Sequence, residues 1–316
     1  MFKKVYVGIV INRDKIDIAT IFVKRGRILE RQRKSFLTPD GSLSQEVISF
    51  LLDLQERYTY TYTATLLDTV NQGALPSCSR TLYEELGIKM STIARLCLSE
   101  GWSIYVGLEE LKKAQEKFAP VEGIDYLFSP AVLIFNHYAK ELVEKPTLYL
   151  FMRSALATLA IFSESKLLYC SNYPLSYAFE EEQKGEDEAT ESLFDIDLID
   201  ELGGIKIEDL DVDLDKDVII REMEPTIPGS IISQTGDERT LEILLKIEDF
   251  LKRSLEEYYT NEVYQGDFVE RIILIDEVGI AEMLKKYIEE ELFITTQIDS
   301  FDLAEALAEL ARVESE

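Results

Sequence analysis

The chain has 316 residues, long enough for two domains or one duplicated architecture. Its 46% apolar and 10% aromatic content excludes a disordered chain and allows a sizeable core. A net charge of −27 excludes a nucleic-acid-binding surface, which needs clustered Lys and Arg to neutralise phosphates.

In chain order, the first forty residues predict a three-stranded meander. Lys4 to Val10 and Lys15 to Lys24 alternate, and Arg27 to Phe36 follows the turn Arg25-Gly26. Turn chemistry from Thr38 to Ser42 leads into a helix over Leu43 to Arg57. Ala64 to Val70 reads as a strand, closed by Gln72-Gly73 and Pro76. Arg80 to Leu86 and Ser91 to Ser99 read as helices parted by Gly87, followed by a strand over Trp102 to Val106 and a helix over Glu109 to Phe118. After a short strand at Asp125 to Phe128, Ser129 and Pro130 open a helix running to about Val143.

Lys145-Pro146 marks the boundary between a first half, 1–145, and a second half, 146–316. A second meander follows it: Thr147 to Met152, Leu156 to Ser163 and Lys166 to Asn172. An acidic insertion occupies about 180–224, with nineteen acids against four bases between Glu180 and Glu224, a net −15. Then come a long helix over Asp237 to Tyr259, a buried strand over Arg271 to Ile275, and a helix over Ile280 to Leu292. A last strand over Thr295 to Ile298 precedes a closing helix over Asp302 to Val313. Two mixed α/β halves, each opened by a three-stranded meander, predict a structural duplication.

No apolar run approaches the roughly 18–20 residues that cross a bilayer; the longest, Leu148 to Phe162, is broken by Arg153. The N-terminus runs straight into a strand, which predicts no signal peptide. Cys78, Cys97 and Cys170 are odd in number and set among apolar neighbours, and so read as reduced core thiols. The expectation is a soluble cytoplasmic protein.

The order of elements resembles the actin-like superfamily (sugar kinases, Hsp70, actin), with its duplicated, ribonuclease H-like fold. Within it the chain is similar to the PilM family of type IV pilus assembly and the cytoplasmic part of GspL in type II secretion. Four stretches carry the likeness. Val7 to Asn12 stands at the first phosphate-facing hairpin, and Tyr126 to Ala131 resembles the strand, proline and helix that enter the second half. Phe250 to Tyr259 is similar to a helix ending in an aromatic, and Asp302 to Arg312 to the Ala/Leu-rich terminus.

This resemblance implies a nucleotide cleft, and the residues at its three loops depart from the hydrolytic pattern. Phosphates held between two hairpins need small residues for close backbone approach and an Asp in each half for Mg²⁺ or the attacking water. The first hairpin offers Gly8, Asn12 and Arg13, with Val10 where the Asp is expected; the second offers Arg153 and Ser154 without acid or glycine. The adenine-side loop carries Asp276 and Gly279, with acids where glycines are expected. These seven residues are the candidate, degenerate nucleotide site. Arg13 and Arg153 read as solvated turn residues able to attract an anion. No catalytic residue, no ATPase activity and no ATP or Mg²⁺ cofactor are expected. The single histidine, His137, reads as a packing residue, and one histidine excludes a multi-histidine metal centre. Asp211, Asp213, Asp215, Asp217 and Glu222 match calcium-loop spacing, but Lys216 stands where the loop needs glycine, so a solvated strand is the favoured reading.

As in PilM, the resemblance implies a scaffold that docks the short cytoplasmic tail of a bitopic inner-membrane protein and meets an assembly ATPase, peripheral to the membrane's inner face. The first meander and the helix after Pro130 would line that groove. The alternative is a divergent nucleotide-dependent ATPase or kinase of the same superfamily.

Overall fold

The computed structural model describes residues 3–38, 41–175, 238–264 and 266–315. The calcium-like loop, the acidic insertion and the solvated strand expected there lie outside these residues.

Two five-stranded sheets repeat one topology. In the first, β1 (Lys4–Ile11), β2 (Lys15–Lys24) and β3 (Arg27–Leu37) form an antiparallel meander. To β1 are added, in parallel, β4 (Tyr60–Leu66) and then β8 (Tyr126–Phe128), giving the order β3-β2-β1-β4-β8. In the second, β9 (Thr147–Met152), β10 (Leu156–Ser163) and β11 (Lys166–Pro174) form the meander. The parallel strands β12 (Arg271–Asp276) and β13 (Thr295–Asp299) complete the order β11-β10-β9-β12-β13. The mixed α/β duplication expected from element order is therefore present. A third, antiparallel sheet, β5 (Gln72–Leu75), β7 (Ser103–Gly107) and β6 (Ile93–Cys97) in the order β5-β7-β6, is inserted between β4 and β8.

Helices cover the sheets. They are α1 (Gln45–Arg57), α2 (Arg80–Glu85), α3 (Leu108–Phe118), α4 (Pro130–Tyr138), α5 (Glu238–Thr260), α6 (Ala281–Tyr287) and α7 (Leu303–Glu314). β1 is buried along both faces because it lies between two helices. On one face α1 seats Val47, Leu51 and Leu54 against Val5, Val7 and Ile9. On the other, the chain's last helix returns to the first half and packs Leu307, Ala308 and Ala311 with Tyr6, Val10 and Ile21. That approach needs Gly8: a Cβ there would lie 1.9 Å from the Ala304 carbonyl oxygen and 2.7 Å from the Ala308 nitrogen. The core continues into the second half through Tyr149, Phe151 and Phe162. Outside it, edge strand β3 is pinned to α7 by ion pairs: Arg33 to Asp302 and Arg31 to Glu305, both at 2.6 Å.

Several expectations are corrected. Ser91 to Ser99 is not a helix but a short 3-10 turn and β6, because pairing with β7 across the Leu98–Gly101 turn outweighs a local pattern that fits either period. Gln72–Leu75 is a strand rather than a closing turn. The helix after Pro130 stops at Tyr138, five residues early. The helix over Ile280 to Leu292 becomes α6 plus a π-turn, ended by Phe293 at φ 55°. The cysteines are not all reduced: Cys78 and Cys97, 5.5 Å apart at Cα, are joined by a disulfide, and Cys170 alone is free. Only the packing of loop 76–80 against β6 brings that pair together, which spacing along the chain does not show. No helix among the described residues is long and apolar enough to cross a membrane.

Candidate functional site

The two meanders place their first turns face to face. The β1–β2 turn is closed by the Asn12 N–H donating to the Lys15 carbonyl at 2.8 Å, and the β9–β10 turn by the Arg153 N–H donating to the Leu156 carbonyl at 2.9 Å. The parallel strands β4 and β12 end beside these turns. Thr65 pairs with Ile9, so Asp68 comes level with Asn12; Asp276 pairs with Met152, so Glu277 comes level with Arg153. The duplication thus delivers one turn residue and one strand-end acid from each half to a single place.

Arg153 joins them. It is 3% exposed. Its Nε donates to Glu277 Oε2 at 2.9 Å, Nη1 donates to Asp68 Oδ2, and Nη2 donates to Asn12 Oδ1 at 3.0 Å and to the Ile11 carbonyl at 3.3 Å. Burial by itself would pull the guanidinium's pKa down, but the charges of Asp68 and Glu277 and their hydrogen bonds outweigh it and hold the pKa up. The arginine therefore stays charged and spans the two halves. It is not the solvated turn residue that its place in the hairpin suggested. Asn12 is itself held, its Nδ2 donating to Asp17 Oδ2 at 3.3 Å, while Lys15 pairs with the same carboxylate at 2.9 Å. That hydrogen bond and the Asp17 charge raise the pKa of Lys15.

Beside this clamp opens a cleft of about 600 Å³. Asn12, Arg13 and Ser154 line it, with Glu277, Arg33 and Asp302. The other candidates do other work. Gly8 sits under α7, as described above. Asp276 orders its own loop: Oδ1 accepts from the Val278 and Gly279 N–H groups at 2.7 and 3.0 Å, and Oδ2 from the Ala281 N–H, the first of α6, at 2.7 Å. Gly279 supplies the φ of +92° which that turn requires. The N-terminus of α7 also faces the cleft, but Asp302 Oδ1 already accepts from the Glu305 N–H at 2.6 Å, placing a carboxylate where an anion would otherwise be attracted. His137 stacks on Phe301 with ring centroids 3.9 Å apart, and burial lowers its pKa, as for a packing residue. Among the described residues no group of three or more His, Cys, Asp or Glu side chains is placed to hold a metal.

Asp68 escaped the sequence reading, and Glu277 entered it only as part of a loop poor in glycine. The signal that could have found them is the repeat itself, since each acid lies just past the end of the strand that pairs in parallel with its half's first strand.

This geometry, two like-folded halves facing each other across a cleft bounded by their first hairpins, defines the actin-like fold, and the solved structures agree. A protein from Bacteroides thetaiotaomicron with an actin-like ATPase fold and unknown function matches at a TM-score of 0.51 with 10% identity, over 99% of this chain and 96% of that one. A chain of the PilM–PilN type IV pilus biogenesis complex matches at 0.56 with 14% identity, over 97% and 98%. The model of the family described as domain of unknown function DUF8569 matches residues 2–135, and that of domain of unknown function DUF8341 matches residues 148–316. The second match spans more than half of the chain, which belongs to the DUF8341 family. No curated protein sequence matches it.

Proposed function

We propose that this chain is a non-catalytic scaffold of a type IV pilus, type II secretion or competence-like assembly machine. It docks the short cytoplasmic tail of a bitopic inner-membrane protein, and an assembly ATPase is a further partner. In this reading it works in the cytoplasm, held at the inner face of the membrane through its partners. One observation carries the non-catalytic part. The guanidinium of Arg153 lies between the two hairpins, where a hydrolysing relative would hold phosphates, and its donors are engaged by Asn12, Ile11, Asp68 and Glu277. A cation so saturated is a structural tie, not a phosphate ligand, and the two acids repel an anion that approaches it. The likeness to a chain of the PilM–PilN complex supports the assembly part.

The second reading, a divergent ATPase or kinase, is favoured by the open cleft beside the clamp, lined by Asn12, Arg13 and Ser154. Titration with Mg-ATP by calorimetry, with thermal melts alongside, separates the two. A ligand at a hundredfold excess over its Kd stabilises the folded state by about 2.7 kcal/mol. The scaffold reading expects no heat and an unmoved melt. Heat together with a raised melt would establish binding and overturn the reading of the clamp as a blocked site.

A further inference from the structure

A second groove, of about 710 Å³, lies away from the cleft, where the inserted sheet meets the second half. Its walls are loop 76–79, α2, the start of β11 and the loop after α5. Three exposed carboxylates stand on it, Glu85, Glu100 and Glu262, against one base, Lys166. Among the described residues none of the three carboxylates is in an ion pair. Between them lie the apolar side chains of Leu82, Leu167 and Tyr264 and the hydroxyls of Ser79 and Thr81. Trp102 belongs to the same wall; it is 1% exposed, and its indole N–H has no hydrogen-bond acceptor among the described residues.

Two features show that the groove is preformed and open to main chain. Loop 76–80 is fixed by the Cys78–Cys97 disulfide, by the Ser103 hydroxyl donating to the Ser77 carbonyl at 2.6 Å, and by Arg95 donating to the Cys78 carbonyl at 3.1 Å. β11 is the last strand of its sheet. β5 lies against its far end, where Asn172 Nδ2 donates to the Gln72 carbonyl at 2.8 Å, and among the described residues no strand pairs with the edge at Lys166 to Leu168, which faces the groove. An open strand edge accepts an extended chain through main-chain hydrogen bonds, and pockets beside it select alternate side chains.

We propose that this groove binds an extended, basic segment of a partner polypeptide, added as a strand along the start of β11. Its cationic side chains meet Glu85, Glu100 and Glu262, and its alternate apolar side chains rest on Leu82, Leu167 and Tyr264. Charge complementarity selects the occupant: the groove is acidic and so is the whole chain, at −27, which steers a cation in and turns a nucleic acid or acidic peptide away. The inference stands whether or not the chain serves a pilus machine.

The test uses the full chain and a capped ten-residue peptide of alternating Lys and Val. Trp102 is the only tryptophan and lines this groove, so its emission is a single-site reporter beside the bound peptide. The expected result is saturable binding that shifts Trp102 emission. Glu85→Lys with Glu262→Lys should weaken it about tenfold or more. Glu56→Lys with Glu290→Lys makes the same change in net charge outside the groove and should leave binding near its original strength. The same peptide N-methylated at alternate residues cannot pair with a strand edge and should bind poorly. All four substituted carboxylates are exposed, and melts of both double variants confirm that the fold survives. Equal weakening by the two double variants, an unmoved Trp102 emission, or full binding by the N-methylated peptide would each overturn the proposal.

Discussion

Replacing Arg153 by alanine should cost about 3 kcal/mol of folding stability, because it breaks a buried, multiply bonded charge and leaves its partners facing each other. Loss of one member of a buried ion pair costs roughly 3–5 kcal/mol. Here the carboxylates are not sealed: the Asp68 and Glu277 side chains are 26% and 34% exposed, so water can hydrate them once the guanidinium is gone. The lower end of the range therefore applies, and the lost packing of the arginine stem adds to it. The assay is urea unfolding, read as a lowered midpoint at unchanged slope. Because the clamp joins the halves, amide exchange should also quicken in the Ile11–Lys15 turn and in the loop after β12. Arg153→Met combined with Asp68→Asn and Glu277→Gln removes all three charges and should recover most of the loss. A cost below about 1 kcal/mol, typical of a surface pair, would refute the reasoning, as would a triple variant no more stable than the single one.

Gly8→Ala should destabilise by at least about 1–3 kcal/mol, the usual cost of overpacking, because the new methyl meets the main chain of α7 at Ala304 and Ala308 rather than a flexible side chain; chemical denaturation of the variant checks it. Glu248 titrates at about 7 in the folded chain: burial raises it, Lys252 opposes the shift, and Glu291 adds to it. Its folded pKa lies above its unfolded one, so the fold favours the protonated form. Stability from this group is full below about pH 4.5 and is lost as pH rises toward 7. Glu248→Gln should therefore raise stability by up to about 2 kcal/mol at pH 8 and leave it unchanged at pH 4, as read from melts across pH. Cys97→Ser should lower stability by about 3 kcal/mol through the opened loop. Alkylation of unreduced, unfolded chain, read by mass spectrometry, should label one thiol, Cys170, whose pKa burial pushes up to about 12 in the native state.

The two meanders and their duplication were legible in the sequence because apolar runs and hairpin turns are local: Lys15 to Lys24 and Leu156 to Ser163 are mostly apolar runs bounded by turns, and both are buried almost throughout. The long helix over Glu238–Thr260 and the Ala/Leu-rich α7 were legible for the same reason. Ser91 to Ser99 was not, since its apolar residues fit either period and only pairing with β7 and the bond from Cys97 to Cys78 choose the strand.

The site divides in the same way. That Val10 is apolar and that the second hairpin is bulky can be read from the sequence, because they concern only which residue type stands at a given place in the chain. What Arg153 does there is a tertiary matter: its carboxylate partners lie 85 and 124 positions away, and nothing in its own hairpin points to them. Gly8 has the residue type of a phosphate loop, yet its reason is close helix packing against Ala304 and Ala308. Local pattern determines which segments become strands and helices, because that choice depends on neighbours within a few residues. Only the folded chain decides whether a charged or small residue in a loop binds a ligand or ties two halves together, because that depends on which distant groups the packing brings within hydrogen-bond reach.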